Sequence, residues 1–335
     1  MMNQNGNTAT ELAIDSFVER KVQAQWEKHR KWAVLSSNRR RRIEVSRIVK
    51  LVVVSMGAAL QVASTQVAEN QRATISFIGG LLVGIGGYIK GNFLTDEMVQ
   101  KMVECLAKSQ AIRSEIYKFR AQAQPYEDFK SNPDEALNRL QEECGRISDS
   151  SYDENFYLTS PDSEPVPKQL HSANSYIKER MEKMKNDFFL KRAQNMRRRG
   201  EFCSACENAL LTLGSIAGIG ATQKFPDAIQ EVLSAMSGWG GAFTTISAAF
   251  ANHVAKEKFT DVARKYTTAA AKLEQLEESW PRDVRNPECA GWDEQVTKCE
   301  DVILSTINEW VKVETGREVS AIQQLQAAAA SKKDA

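Results

Sequence analysis

Two pairs of long apolar runs interrupt a chain that otherwise alternates between polar and apolar residues. The first pair is Ile48 to Ala68 and Ala73 to Phe93, separated by the polar residues Glu69 to Arg72. A helix needs roughly 20 apolar residues to cross a hydrocarbon core of ~30 Å, and each run has about that length. The pattern therefore predicts a helical hairpin that enters and leaves a membrane.

A second pair of runs lies further along the chain, from Ala205 to Thr222 and from Ile229 to Val254. The break between them is the short segment Gln223 to Asp227. This pair is more polar and contains Glu207 near its start. We expect a second transmembrane hairpin here, with a weaker membrane signal than the first.

Amphipathic segments precede and follow each hairpin. Apolar residues recur at helical spacing from Glu11 to Asn38, from Thr95 to Gln122 and from Tyr176 to Met196, and a charged helix follows from Lys256 to Trp280. The predicted fold is all-α, with two tandem transmembrane helical hairpins and long cytosolic amphipathic helices that have coiled-coil character.

The order of these features divides the chain into five segments and suggests an internal repeat. When Arg40 to Arg42 are laid on Arg197 to Arg199, Gly57 falls on Gly214, which indicates tandem copies. The predicted segments are a disordered N-terminus (1–11), a first helix-plus-hairpin unit (12–122), a cytosolic linker with one short helix (123–173), a second helix-plus-hairpin unit (174–280) and a C-terminal amphipathic helix (281–335).

Arginine clusters stand directly before both hairpins. Basic residues beside a span are retained in the cytosol, and they attract anionic lipid. We therefore expect a multi-pass membrane protein with both termini cytosolic and both turns outside. Nucleic acid is not an expected partner, because the formal net charge is only +1 and the clusters adjoin spans. The residues given this topological and lipid-contacting role are Arg39, Arg40, Arg41, Arg42, Arg197, Arg198 and Arg199.

Glycine is concentrated in the predicted spans. Small residues let helices approach closely in lipid, where the hydrophobic effect does not drive helix association. Helix packing and oligomerisation are assigned to Gly79, Gly80, Gly84, Gly87, Gly91, Gly214, Gly218 and Gly241. A polar lining between the spans is assigned to Gln61, Gln66, Thr244 and Thr245.

No catalytic or metal site is expected. The three histidines, His29, His171 and His253, are far apart in the sequence. Cys203 and Cys206 have CxxC spacing, but a zinc site needs about four ligands, so packing is the favoured interpretation. The predictions are therefore no enzyme activity, no cofactor and no metal.

The succession of features resembles the SLATT family, the SMODS- and SLOG-associating two-transmembrane effector domains. The segments that carry the resemblance are Gln25 through Arg42 and Asn186 through Arg199, each followed by its hairpin. The resemblance would extend over residues 20–122 and 174–280, in two copies. It implies a membrane effector that forms pores, of the kind associated with nucleotide-signalling systems.

The leading functional hypothesis is an integral membrane protein that oligomerises through glycine-rich spans and forms or gates a pore. Its expected partners are membrane lipids, further copies of itself as a homo-oligomer, and a cytosolic protein. One alternative is a membrane scaffold that shapes the bilayer without transport and recruits partners through its cytosolic helices. The other is a soluble helical interaction protein.

Overall fold

The computed structural model describes residues 4–65, 67–148, 165–170, 172–220 and 239–315. Regular secondary structure in these residues is entirely helical, in agreement with the predicted all-α class. The helices are α1 (Gln4–Ser64), α2 (Glu69–Phe93), α3 (Asp96–Arg120), a 3-10 turn (Glu127–Lys130), α4 (Pro133–Ser148), α5 (Ala173–Tyr176), two π-helical stretches (Ile177–Glu182 and Met184–Leu190), α6 (Lys191–Gly220), α7 (Gly240–Glu257), α8 (Phe259–Glu278) and α9 (Trp292–Thr315).

Helix α1 is 61 residues long and joins two elements that the sequence pattern separates. It begins at Gln4, so residues 4–11 are helical where disorder was predicted. The amphipathic segment before Asn38 continues directly into the apolar run that starts at Ile48. Proline is absent between Gln4 and Ser64, so nothing in the backbone chemistry interrupts the helix.

The turn of the first hairpin lies earlier than predicted. The residues Glu69 to Arg72 form the first turn of α2, and the break falls between Ser64 and Glu69. Ala68 is extended, and its carbonyl accepts hydrogen bonds from the N–H groups of Gln71 and Arg72. Glu69 is an acidic residue in the first helical turn, where the helix dipole favours negative charge.

The described residues form two compact units, and each unit draws on both predicted copies. The core unit takes in the chain up to Arg39, Gln100–Arg192 and the chain from Lys265 onward. The hairpin unit takes in Arg40–Val99 and Ala193–Arg264. The described parts of the predicted spans therefore belong to one unit, and most of the amphipathic residues that flank them belong to the other.

The core unit has the buried interior of an ordinary helical protein. Its main hydrophobic cluster includes Trp26 of α1, Ile116 of α3, Leu140 of α4 and Trp292 of α9. The indole N–H of Trp292 donates to the carbonyl of Ala121 at 2.7 Å. Burying a large apolar side chain contributes about 1.5–3 kcal/mol, so this cluster supplies the principal driving force for folding the unit.

Helix α3 is buried on nearly all sides in the core unit, although many of its residues are polar. Its apolar residues were predicted to lie on one side, and the structure also buries Lys108, Ser109, Gln110 and Ser114. Lys108 pairs with Glu104 at 2.8 Å, so its charge is compensated. The polar side of α3 thus packs against other helices of the unit and not against solvent.

A fully buried ion pair joins the π-helical stretch Ile177–Glu182 to α9. Arg180 makes two hydrogen bonds to Glu300, at 2.7 Å from Nε and 2.6 Å from Nη2. The hydroxyl of Tyr176 donates to the same carboxylate at 2.9 Å. Burial by itself would raise the pKa of Glu300, but the Arg180 guanidinium, with smaller contributions from Ser114 and Lys118, holds that pKa below its ordinary value.

Candidate membrane-facing surface and helix contacts

The first hairpin is closed by glycines that bring the α1 and α2 backbones together. A Cβ added to Gly57 would lie 2.7 Å from the carbonyl oxygen of Gly79. A Cβ added to Gly79 would lie 2.8 Å from the carbonyl oxygen of Gly57 and from Cγ of Gln61. Further along, Gly86 is in direct contact with Val54. These contacts need hydrogen in place of a side chain, so Gly57 and Gly79 set the spacing of the hairpin.

In its described part, the second hairpin is also closed by glycines that let two helices come close together. A Cβ added to Gly214 of α6 would lie 3.0 Å from Cγ2 of Thr244 and 3.4 Å from the carbonyl oxygen of Gly240. Ser247 of α7 donates to the carbonyl of Glu207 at 3.0 Å. Gly214 and Ser247 therefore fix α6 against α7.

Two contacts join the hairpins to each other within the hairpin unit. A Cβ on Gly241 of α7 would lie 2.9 Å from Cγ1 of Val62 in α1. Further toward the arginine cluster of α1, Glu44 binds Arg199 of α6 at 3.0 Å. Because α1 and α6 both run from their arginine cluster toward their hairpin turn, this ion pair brings the two clusters side by side.

Apolar side chains cover the outside of the hairpin unit. Apart from Phe17 and Leu190, every exposed large apolar side chain in the described part of the chain lies in this unit. In α2 the buried residues are Gly79 and Gly86, while Phe77 is 72% and Tyr88 63% exposed. A helix in water buries its large apolar residues and exposes its polar ones, so this arrangement is the reverse of a water-facing helix.

Helix α2 has the length and composition of a membrane span. Its 25 residues would extend about 37 Å at 1.5 Å per residue, and 11% of its most apolar stretch is buried. Among the described residues, this is the one helix found to be long and apolar enough to cross a membrane. Two complete transmembrane hairpins, as predicted, are thus not established. Helix α7 has 18 described residues, and residues 221–238 before Trp239 lie outside the described part.

The glycines assigned to packing divide into inner and outer sets. Gly79, Gly214 and Gly241 lie in contacts within the chain. A Cβ added to Gly80 would lie 3.6 Å from Nε2 of Gln61. A Cβ on Gly84, Gly87, Gly91 or Gly218 would meet no atom of the described chain within 4 Å. Gly80, Gly84, Gly87 and Gly91 recur at alternating spacings of four and three, which places them along one face of α2.

The residues assigned to a polar lining have other contacts in the structure. Gln61 lies beside Gly79 and Gly80 in the first hairpin. The hydroxyl of Thr244 donates to the carbonyl of Gly241 at 2.9 Å, and that of Thr245 to the same carbonyl at 2.8 Å. Both hydroxyls are therefore satisfied by their own helix. Gln66 lies outside the described residues.

The arginines of the first cluster have different surroundings. Arg39 belongs to the core unit, where it donates to the carbonyl of Lys101 at 3.3 Å. Arg40 binds Glu44 at 2.8 Å. Arg41 and Arg42 are exposed, as are Arg197, Arg198 and Arg199 of the second cluster.

Glu44 is the residue that sequence reasoning missed. Burial alone would raise its pKa, but hydrogen bonds from Arg199 and Arg40 hold the pKa below its ordinary value. Its place four residues after Arg40 indicated a local helical ion pair. The contact with Arg199, 155 positions away, could not be inferred from local spacing.

Comparison with family models gives one match, over residues 176–310. It is SLATT_1, the SMODS and SLOG-associating 2TM effector domain 1. The match indicates membrane association and an effector-like role. It begins at Tyr176 and ends at Trp310, so it takes in α6, α7 and α8 and also most of α9, which the sequence analysis had placed in a separate segment.

The match includes both residues of the buried Arg180–Glu300 pair, which joins its first and last parts. It does not extend to the first predicted copy, so two tandem SLATT copies are not established. Neither the curated proteins nor the solved structures contain a match to this chain.

Proposed function

We propose that this chain is an integral membrane protein that places its hairpin unit in the bilayer, oligomerises through α2 and forms or gates a pore. The observation that carries the proposal is the outward apolar surface of the hairpin unit. Exposing Phe77, Leu81 and Tyr88 to water would be unfavourable by ~25 cal/mol for each Å² of apolar surface. Lipid removes that penalty.

The outer glycines of α2 support assembly. In lipid, helices associate through close van der Waals contact, which small residues permit. Gly84, Gly87 and Gly91 leave open space on α2, so a second copy of this helix can approach its backbone there. Gly79 serves the contact with α1 and is not available to a second copy.

The two hairpins are proposed to be copies of one unit. Gly57 and Gly214, which correspond in the sequence overlay, each lie against the returning helix of their own hairpin. Both arginine clusters precede these glycines at the same distance along α1 and α6. Tandem SLATT-like hairpins in one chain would halve the number of chains that a ring of hairpins needs.

The first test asks whether the protein is integral to the membrane. Carbonate extraction of membranes from cells that express the full chain should leave it in the pellet. Release into the supernatant would identify a soluble or peripheral helical protein and would overturn the proposal.

The second test measures ion flux in liposomes that contain the purified chain. The double variant Gly84→Leu, Gly87→Leu should lose oligomers in chemical crosslinking and should lose flux. The matched control is Gly145→Leu in α4, another helical glycine with open space around it, and this variant should keep both. Oligomers that leave liposomes tight to ions would overturn the pore and favour the scaffold.

A further inference from the structure

We propose that the two arginine clusters form a single binding site for an anionic lipid headgroup that carries a phosphate monoester, and that Glu44 assembles this site. The proposal rests on the membrane insertion of the hairpin unit. It adds a ligand class and an organising residue, and it does not depend on conduction.

Glu44 holds one arginine from each cluster. Its Oε1 accepts from Nε of Arg40 at 2.8 Å, and its Oε2 accepts from Nη2 of Arg199 at 3.0 Å. Both carboxylate oxygens are used, and the side chain is only 26% exposed. A carboxylate bound on both sides in this way keeps α1 and α6 in register at the level of their basic residues.

The resulting surface carries a strong excess of positive charge. Arg41, Arg42, Arg197 and Arg198 are exposed on the same helical turns as the bridged pair. Within the hairpin unit the two clusters thus supply six guanidinium groups, Arg40–Arg42 and Arg197–Arg199, and the carboxylates of Glu44 and Glu201 lie within two residues of them in the sequence. Arginine binds phosphate with two parallel hydrogen bonds, so clustered arginines suit a phosphate group that has several acceptor oxygens.

The basic surface adjoins the apolar surface of the hairpin unit. Ile48 and Val49 follow the first cluster within two helical turns and are 58% and 41% exposed. Phe202 follows the second cluster and is 66% exposed. A ligand with a charged head and an apolar tail would contact both surfaces at once, which favours a lipid over a soluble phosphate or a nucleic acid.

We choose a phosphate monoester as the headgroup because the number of arginines in the two clusters calls for a ligand with more than one negative charge. A headgroup with one net negative charge would leave most of the arginines unneutralised. A basic residue near a membrane surface strengthens binding to anionic lipid about fivefold, so several of them favour a multiply charged head.

The test titrates the full chain, held in neutral phosphatidylcholine nanodiscs, with short-chain phosphatidylinositol 4-phosphate. Short-chain phosphatidylserine and free inositol phosphate are the comparison probes. We expect one phosphoinositide bound per chain, with weaker binding of both comparison probes. If phosphatidylserine bound equally well, the requirement for a phosphate monoester would be refuted. If free inositol phosphate bound equally well, the conclusion that the ligand is a lipid would be refuted.

Charge-neutralising variants ask whether the clusters form one site. Arg41→Gln with Arg42→Gln, and Arg197→Gln with Arg198→Gln, should each lower the affinity of the single site about 30-fold, from about 1 kcal/mol per arginine. Two separate patches would instead bind two lipids, and each variant would remove one of them without changing the affinity of the other. The control is Arg282→Gln with Arg285→Gln, which removes the same charge from exposed positions in the core unit.

The variant Glu44→Gln distinguishes a site that is held together by Glu44 from non-specific electrostatic attraction between the arginines and anionic lipid. The substitution adds one net positive charge, so general attraction predicts tighter binding. Loss of the bridge between Arg40 and Arg199 predicts weaker binding, and this is the expected result. Tighter binding would overturn the role of Glu44. Because binding is read without conduction, a chain that binds phosphoinositide but passes no ions would refute the pore and leave this site intact.

Discussion

Several charged and polar residues of the core unit occupy buried positions that are usually apolar. Arg180 and Glu300 are fully buried, and the Arg180 guanidinium also lies over the ring of Tyr117, 4.4 Å from its centroid. Removing one partner of a buried pair typically costs about 3–5 kcal/mol, because the other charge is left without compensation. Such residues tie α3, the π-helical stretch and α9 to one arrangement.

His29 is a buried residue with a pH-dependent consequence. A carbonyl oxygen can only accept, so Nδ1 of His29 donates to the carbonyl of Ser109, 2.8 Å away. Burial first, and then the positive charge of Arg113, lower its pKa to about 3. In the unfolded chain the pKa returns to about 6.5, so below that pH unfolding takes up a proton.

We therefore predict that the free energy of unfolding of the core unit decreases as the pH is lowered from about 6.5 to about 4.5. The slope should approach about 1.4 kcal/mol per pH unit. Glu300, whose pKa is also lowered in the folded chain, adds a dependence of the same sign toward the lower end of this window, so the upper part of the window reports on the histidine. His29→Asn keeps an N–H donor near the Nδ1 position and should flatten the dependence. Thermal unfolding of the purified chain in detergent across this pH range measures it, and equal slopes for both proteins would contradict it.

At the scale of elements, the hairpins depend on glycines that face inward and others that face outward. Gly57 and Gly79 lie where α1 and α2 touch, whereas Gly84 lies on the open side of the same helix pair. In the sequence all of them belong to one glycine-rich pattern. Their different environments give the same substitution opposite effects.

Gly57→Ala should destabilise the first hairpin. The new Cβ would lie 2.7 Å from the Gly79 carbonyl oxygen and 2.9 Å from the Val83 nitrogen, and backbone atoms cannot move aside cheaply. Overpacking of this kind costs about 1–3 kcal/mol. Thermal unfolding in detergent and protease sensitivity near residues 65–68 would measure the loss.

Gly84→Ala is the matched control for this prediction, measured on the dissociated chain in detergent so that the proposed contact of Gly84 with a second copy does not contribute. It adds the same methyl group where no atom of the described chain lies within 4 Å. Alanine is favoured over glycine in a helix by about 1 kcal/mol, so this variant should match or exceed the wild type in stability. Equal destabilisation by both substitutions would mean that helix propensity, and not close contact, governs the hairpin.

At the scale of the whole molecule, the described chain separates a unit with a buried apolar core from a unit with an apolar exterior. Helix α1 contributes to both units without a break. The two arginine clusters meet through Glu44 at one end of the hairpin unit, so both hairpins enter the proposed membrane from the same side. For the proposed insertion, the positive-inside rule predicts that this side faces the cytosol.

This topology predicts opposite accessibility for two exposed positions. In a chain whose six cysteines are replaced, Gln71→Cys in the first turn of α2 and Ser131→Cys before α4 should react with a membrane-impermeant maleimide from opposite faces of oriented vesicles. The charged reagent cannot cross the hydrocarbon core. Detergent should equalise the two reactions, and labelling from one face in sealed vesicles would exclude a membrane-spanning first hairpin.

The sequence by itself determined the helical class, the apolar part of α2 up to its end at Phe93 and the SLATT resemblance of the second half, because periodicity and run length are local properties. The all-α class is confirmed, and the family match supports the resemblance for residues 176–310. Local spacing could not determine which glycines face inward, because that depends on the rotation of α2 against α1. It also could not show that α3 is buried on its polar side.

Tertiary structure alone decided how the chain divides. The copies predicted along the sequence each contribute to both units, since contacts between distant segments set the boundary. It also decided that Arg40 and Arg199 share Glu44, and that Arg180 meets Glu300 in the interior. These pairs join residues more than a hundred positions apart, and only packing of helices brings such residues within hydrogen-bonding distance.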